Sequence, residues 1–121
     1  MIPFAPGQIW RYKTRDVEPF STLVICYIEP HPQLGRTIHI SLNNLRIRNP
    51  KHPNQFSEVL AHTPIAEGAL RASVTQLVQQ NAPLPDWQDG YRTWQANNGG
   101  VFTLPVSEIV NVVEGSLNPI P

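Results

Sequence analysis

The chain has 121 residues, with nine Lys plus Arg, nine Asp plus Glu and four His, so its formal net charge is zero. That length supports a single domain (1–121), and that balance gives no general electrostatic case for polyanion binding. The one cysteine, Cys26, excludes an internal disulfide framework and fits a reducing compartment, so a cytoplasmic location is expected.

Residues 1–7 carry no basic region and no long apolar core, so no secretory signal is expected there. No stretch approaches the ~20 apolar residues of a membrane helix. Thirteen prolines impose many short elements with fixed joints, because proline stops helices and ladder hydrogen bonding alike. Pro6-Gly7 reads as a turn into a first strand over residues 8–15. There Trp10, Tyr12 and Thr14 share one face, and Arg11, Lys13 and Arg15 the other. A polar connection, residues 15–21, leads to residues 22–29, which are apolar on both faces and rich in β-branched residues. These read as a central strand, with Leu23, Ile25 and Tyr27 on one side and Val24, Cys26 and Ile28 on the other.

Pro30-His31-Pro32 ends that strand and Gly35 turns the chain back. Residues 37–42 form a third strand, with Ile38, Ile40 and Leu42 inward and the polar face Thr37, His39 and Ser41 outward. The apolar parity then shifts to Leu45 and Ile47. A bulge explains the shift; an Asn43-Asn44 hairpin, which is preferred, explains it by setting Leu42 against Leu45 and Ile40 against Ile47.

Residues 49–54 are an exposed loop, and residues 56–61 suit either a short strand or a helical turn. Thr63-Pro64 has the chemistry of a helix start. The stripe Ile65, Ala69, Leu70, Val74, Leu77 and Val78 predicts one long amphipathic helix to about Gln80. Asp86 is placed to cap a second, short helix carrying Trp87, Tyr91 and Trp94, although Gly90 inside it costs ~1 kcal/mol relative to Ala. A turn at residues 97–100 and a short strand at 101–104 follow. Ser107 caps a last short helix with Ile109, Val110 and Val113, stopped by Gly115, and residues 116–121 are a tail. The fold class expected is therefore α+β: an antiparallel sheet of four to five strands, one long helix and two short C-terminal ones. The N-terminal half is mostly strand and the C-terminal half mostly helix.

Charge is uneven along this layout. Residues 1–51 hold seven basic and three acidic side chains, whereas residues 52–121 hold two and six. Arg11, Lys13 and Arg15 make either a solvated strand face or a ridge for phosphate or an acidic protein, which Arg46, Arg48 and Lys51 extend if they lie nearby. Asp86, Trp87, Asp89, Tyr91 and Trp94 make either core aromatics or an acidic-aromatic protein-binding patch. Cys26, between Ile25 and Tyr27, reads as a small buried apolar residue rather than a nucleophile. His31, His39, His52 and His62 lack the close paired spacing of zinc ligands, so neither metal nor cofactor is expected. Glu58 and His62 meet only if their stretch is helical. There is no glycine-rich phosphate loop and no Gly-x-Ser-x-Gly run.

Pro6-Gly7-Gln8-Ile9-Trp10, the basic loop and the strand from Leu23 to Ile28 together resemble the first hairpin of messenger-RNA interferase toxins, over residues 6–28. The resemblance implies an SH3-like barrel that cleaves RNA without metal, using an Arg and a Thr or Ser in a basic groove. Arg15 is the nearest match to that Arg. The balanced charge and helical C-terminal half depart from the pattern. In size, lone cysteine, missing catalytic motif and opposed charge, the chain resembles small bacterial toxin-neutralising proteins. The function expected is a non-enzymatic protein-binding module of immunity or antitoxin type, with a toxin as partner. The alternative is an SH3-like RNA-binding or RNA-cleaving domain using the Arg11, Lys13 and Arg15 ridge.

Overall fold

Seven strands and three helices make up the fold, seen in a computed structural model that describes residues 2–119. In chain order these are β1 (Ile9–Tyr12), β2 (Thr22–His31), β3 (Gly35–Asn43), β4 (Ile47–Arg48), β5 (Phe56–Ser57), β6 (Leu60–Ala66), α1 (Glu67–Ser73), β7 (Val74–Gln79), α2 (Gln88–Ala96) and α3 (Val106–Leu117). The order β6-β3-β2-β1-β7 forms a five-stranded antiparallel sheet, and β4 pairs with β5 apart from it. The class is α+β, and among the described residues no helix is long and apolar enough to cross a membrane.

One face of the sheet carries the core. Trp10 and Tyr12 alternate with exposed Arg11, as the strand pattern requires. Leu23, Ile25, Ile38, Ile40, Leu42 and Ile65 are fully buried beneath Leu70 of α1 and Val106, Ile109 and Val110 of α3. Each such side chain contributes ~1.5–3 kcal/mol by leaving water.

A bulge in β2 decides what the other face contains. Ile25 pairs with Ile40, but the next pair is Tyr27 with His39, so Cys26 is the extra residue. The expected alternation of residues 23–28 is broken there. Ile28 pairs with Ile38 and joins the core, while Tyr27 and Glu29 turn to the face of His39 and Thr37. Thr37, His39 and Ser41, expected to face outward, are buried instead, because this face is covered too.

The chain does not make the Asn43-Asn44 hairpin, nor a continuous bulged strand. Asn44 takes a positive φ of 51° and leads the chain off the sheet, where Ile47 pairs with Ser57. Leu42 lies between Leu23 and Leu60, and Leu45 and Ile47 reach the core from outside the ladder.

The long helix from Pro64 is replaced by three elements. Thr63, Pro64 and Ile65 pair with Ile40, His39 and Ile38 in β6, an edge strand, where a missing N–H is tolerated. The helix α1 spans only seven residues, and Val74–Gln79 returns as β7 along β1. Without β7 the outer edge of β1 would have no ladder, so backbone pairing overrides the 3.6-residue stripe. Within that stripe Leu70 is buried and Val78 is exposed.

The later helices also start differently from the sequence reading. Trp87, not Asp86, is at the N-cap of α2, and Pro105, not Ser107, at that of α3; neither makes a side-chain cap. Helix α3 runs past Gly115 to Leu117, so Ser116 and Leu117 are helical rather than tail, and residues 120–121 lie outside the described residues. Of residues 101–104, Phe102 makes a single parallel bridge to Ile65.

Candidate functional site

Two regions bring chemistry-bearing side chains together. The first lies between α2 and the sheet face opposite the core. Trp87 stacks on Tyr27 with centroids 5.6 Å apart, Tyr91 meets Tyr27 edge-on at 5.4 Å, and Trp94 meets His39 edge-on at 4.8 Å. The three aromatics at helical spacing are therefore half-buried and turned to the sheet. Gly90 allows this approach: a Cβ there would stand 2.6 Å from the Cβ of His62.

A chain of hydrogen bonds runs beneath them. His39 Nε2 lies 3.2 Å from Glu29 Oε1, His39 Nδ1 lies 2.8 Å from His62 Nε2, and the Tyr91 hydroxyl donates to Glu29 Oε2 at 2.8 Å. A carboxylate only accepts, so His39 carries its proton on Nε2 and its Nδ1 accepts from His62 Nε2–H. Both imidazoles are neutral in this arrangement. Burial lowers the pKa of His39 against the opposing pull of Glu29, and burial with the neighbouring His39 takes His62 down to about 4. The hydrogen bond to Glu29, first, and then burial push Tyr91 up to about 12.

The chain runs from Tyr91 and Glu29 through His39 to His62, whose Nδ1 has no hydrogen-bond partner among the described residues. Cys26 is buried at the β2 bulge, its thiol pushed up to about 12 by burial. Among the described residues no group of three or more His, Cys, Asp or Glu is arranged to hold a metal. Glu58 does not meet His62 as a helical neighbour, since it stands between β5 and β6 while His62 is in β6, and its carbonyl accepts from Leu45 N–H.

The second region is a groove of about 760 Å³ between residues 17–20, residues 44–46 and residues 52–59. Its walls include three apolar side chains left in water: Phe20 at 82 % exposure, Val17 at 58 % and Val59 at 55 %. The turn that carries Val17 and Phe20 is fixed from below. Glu18 is buried, and its carboxylate accepts from Arg15 Nε at 2.8 Å, Arg15 Nη2 at 3.0 Å and Arg46 N–H at 2.8 Å. Ser21 closes the turn, donating to the carbonyl of Asn43 at 2.6 Å and accepting from the Tyr12 hydroxyl at 2.7 Å.

Arg15 is the hub of this support. Besides Glu18 it donates to Asn111 at 3.1 Å, Glu114 at 3.0 Å and the carbonyl of Arg46 at 3.2 Å, which engages all five of its N–H groups. It leaves the ridge proposed with Arg11 and Lys13, which stand exposed at β1 and just beyond it. Asp86 and Asp89 are exposed as well, and Asp89 pairs with Arg92 on the outer side of α2.

Sequence reasoning picked out the aromatics and His39 but missed Glu29 and His62 as their partners, and it missed Val17 and Phe20. A signal for the latter exists: two apolar residues stand in an otherwise polar connection. Comparisons of the chain with protein-family models, curated proteins and solved structures return no match.

Proposed function

We propose that this chain is a non-enzymatic protein-binding module, of the kind that neutralises a toxin in the cytoplasm of a bacterium. The groove carries the reading. Exposed Val17, Phe20 and Val59 gather around one concavity, and Phe20 sits on a turn locked by the buried Arg15–Glu18 pair. Apolar side chains held rigidly in water are what a docking partner uses best, since burial is gained with little ordering cost.

The opposed charge of the two halves supports the same reading. Exposed Asp86 remains available to complement a basic partner surface, while Trp87, Tyr91 and Trp94 act by seating α2. The alternative, an RNA-binding surface, rests on Arg11 and Lys13 without Arg15, whose donors are all engaged.

Mixing the protein with the product of the adjacent reading frame tests the proposal by gel filtration and calorimetry. A stoichiometric complex is expected, with affinity falling only modestly as salt rises. Binding to a labelled single-stranded RNA, falling by about 0.7 log units per phosphate contact for each tenfold rise in salt, would favour the alternative.

A further inference from the structure

We infer that α2 is a proton-operated lid: when His62 takes up a proton at Nδ1, the helix lifts from the sheet as a unit, ahead of the core. Its opening uncovers Tyr27, His39 and His62 together with the three aromatics of α2. It is independent of the protein-binding reading.

The helix is lightly held. None of its residues is buried. Among the described residues one hydrogen bond, from the Tyr91 hydroxyl to Glu29, joins residues 87–99 to the sheet. The other bonds of that segment stay within residues 87–100. The rest of the attachment is aromatic contact with Tyr27, His39 and His62. Trp87 brings to it a buried Nε1–H with no partner, a cost that the stack on Tyr27 must offset. The core face, by contrast, is filled by fully buried Leu23, Ile25, Ile38, Ile40 and Ile65. A segment with few buried contacts opens at a lower free energy than such a core.

A proton reaches this seat where the helix rests on it. His62 gives its Nε2–H to His39 Nδ1, so its own Nδ1 carries the free lone pair and has no partner among the described residues. That atom lies 3.5 Å from where a Cβ of Gly90 would stand, against the first turn of α2. An imidazolium there points an N–H at a helix N-terminus, whose N–H groups already carry partial positive charge. The titratable groups around it do not relieve this. His39 of β3 accepts from His62 and has its other nitrogen on Glu29. Glu29 of β2 is engaged by His39 and Tyr91. Tyr27 of β2 and Tyr91 of α2 meet the two imidazoles through their rings. Asp89, in that first turn, is exposed and held by Arg92 at 2.6 Å. Burial and the neighbouring His39 accordingly take His62 down to about 4 under the closed helix. Lifting the helix returns it toward the ordinary ~6.5, so a fall in pH through that window favours the open form.

Hydrogen exchange of the full chain, followed amide by amide and corrected for the intrinsic effect of pH, tests this. At pH 7 the helical amides from Tyr91 to Ala96 should be less protected than those of β2 and β3, as an independently opening helix requires. Between pH 7 and about pH 4.5 their protection should fall about tenfold or more. His62→Gln keeps a donor for His39 Nδ1 and removes the titration, and should shrink that fall to about threefold or less. Protection in α2 equal to that of the core, and lost in step with it, would overturn the lid, because the helix would then open only with the whole fold. Protection in α2 that is indifferent to pH would overturn it too, as would an undiminished fall in His62→Gln. The comparison with the core and the pH series are read on the parent chain, so they decide the matter even if the variant fails to fold.

Discussion

The face beneath α2 and the groove beside residues 17–20 are built from opposite materials. Under α2, polar and aromatic groups turn inward: Tyr91 and His39 bond to Glu29, His62 bonds to His39, and Trp87 stacks on Tyr27 with its Nε1 buried and unpartnered. In the groove, the polar groups are buried below and the apolar ones stand outside, with Arg15 and Glu18 supporting Phe20. The histidines and tryptophans pack α2 onto the sheet, and under the proposed function Phe20, in a polar loop, is the aromatic offered to a partner.

Removing the support of the groove should have the largest effect. Arg15→Ala leaves the Glu18 carboxylate buried without its cation and frees the turn from Asn111 and Glu114. Stability should fall by about 3–5 kcal/mol, read from the urea midpoint. A loss below about 1 kcal/mol would mean the turn is held some other way. Gly90→Ala attacks the other region. Ala favours a helix by about 1 kcal/mol over Gly, yet here its methyl would stand 2.6 Å from His62 Cβ. The clash should win, with a net loss of up to about 3 kcal/mol and weaker near-ultraviolet signal from Trp87 and Trp94.

Acid should discriminate between the regions without any substitution. His62 titrates near 4 in the folded chain and near 6.5 when unfolded, and His39 is lowered as well. Between those values the unfolded chain binds protons that the folded chain refuses, so stability is full above pH 6.5 and declines as pH falls toward 4. The loss is on the order of 1–2 kcal/mol, allowing for partial exposure of the His62 ring. Glu67, kept below the ordinary carboxylate range chiefly by its hydrogen bond to Arg36, loses its contribution lower in pH. His62→Gln keeps a donor for His39 Nδ1 and removes one titration, so its profile through this window should be shallower. An unchanged profile would show that the pair does not hold α2.

How much of this was legible varies with the range of the interaction that decided it. The strands of Trp10 and Tyr12, and of Ile38, Ile40 and Leu42, were readable because alternation is local and one face is core. The β2 bulge at Cys26 was not, since a run apolar on both faces gives no parity to lose. Without that bulge Tyr27 and Glu29 cannot be placed beside His39. The stretch 63–79 was misread for a related reason: Val74 and Leu77, three apart, fit a helical stripe, and only a register shift sets them opposite Tyr12 and Trp10. Only the open edge of β1, a long-range fact, chooses between them. His62 came into view through a register shift opposite Ser41, equally invisible in the local pattern.

The smallest expected effect is the most telling one. Phe20 is 82 % exposed, so truncating it to Ala removes almost no buried surface, and stability should stay within about 0.5 kcal/mol of the parent. Trp87→Ala loses the stack on Tyr27 and the edge contact with Tyr91, and should lower the urea midpoint clearly. The pair separates an aromatic kept for the fold from one kept for a partner. Were Phe20→Ala to cost more than about 1 kcal/mol, Phe20 would be packing against its own chain, and the groove would lose the free apolar wall on which docking depends. Were Trp87→Ala silent, the aromatics of α2 would be free for a partner, and the roles of the two regions would have to be exchanged.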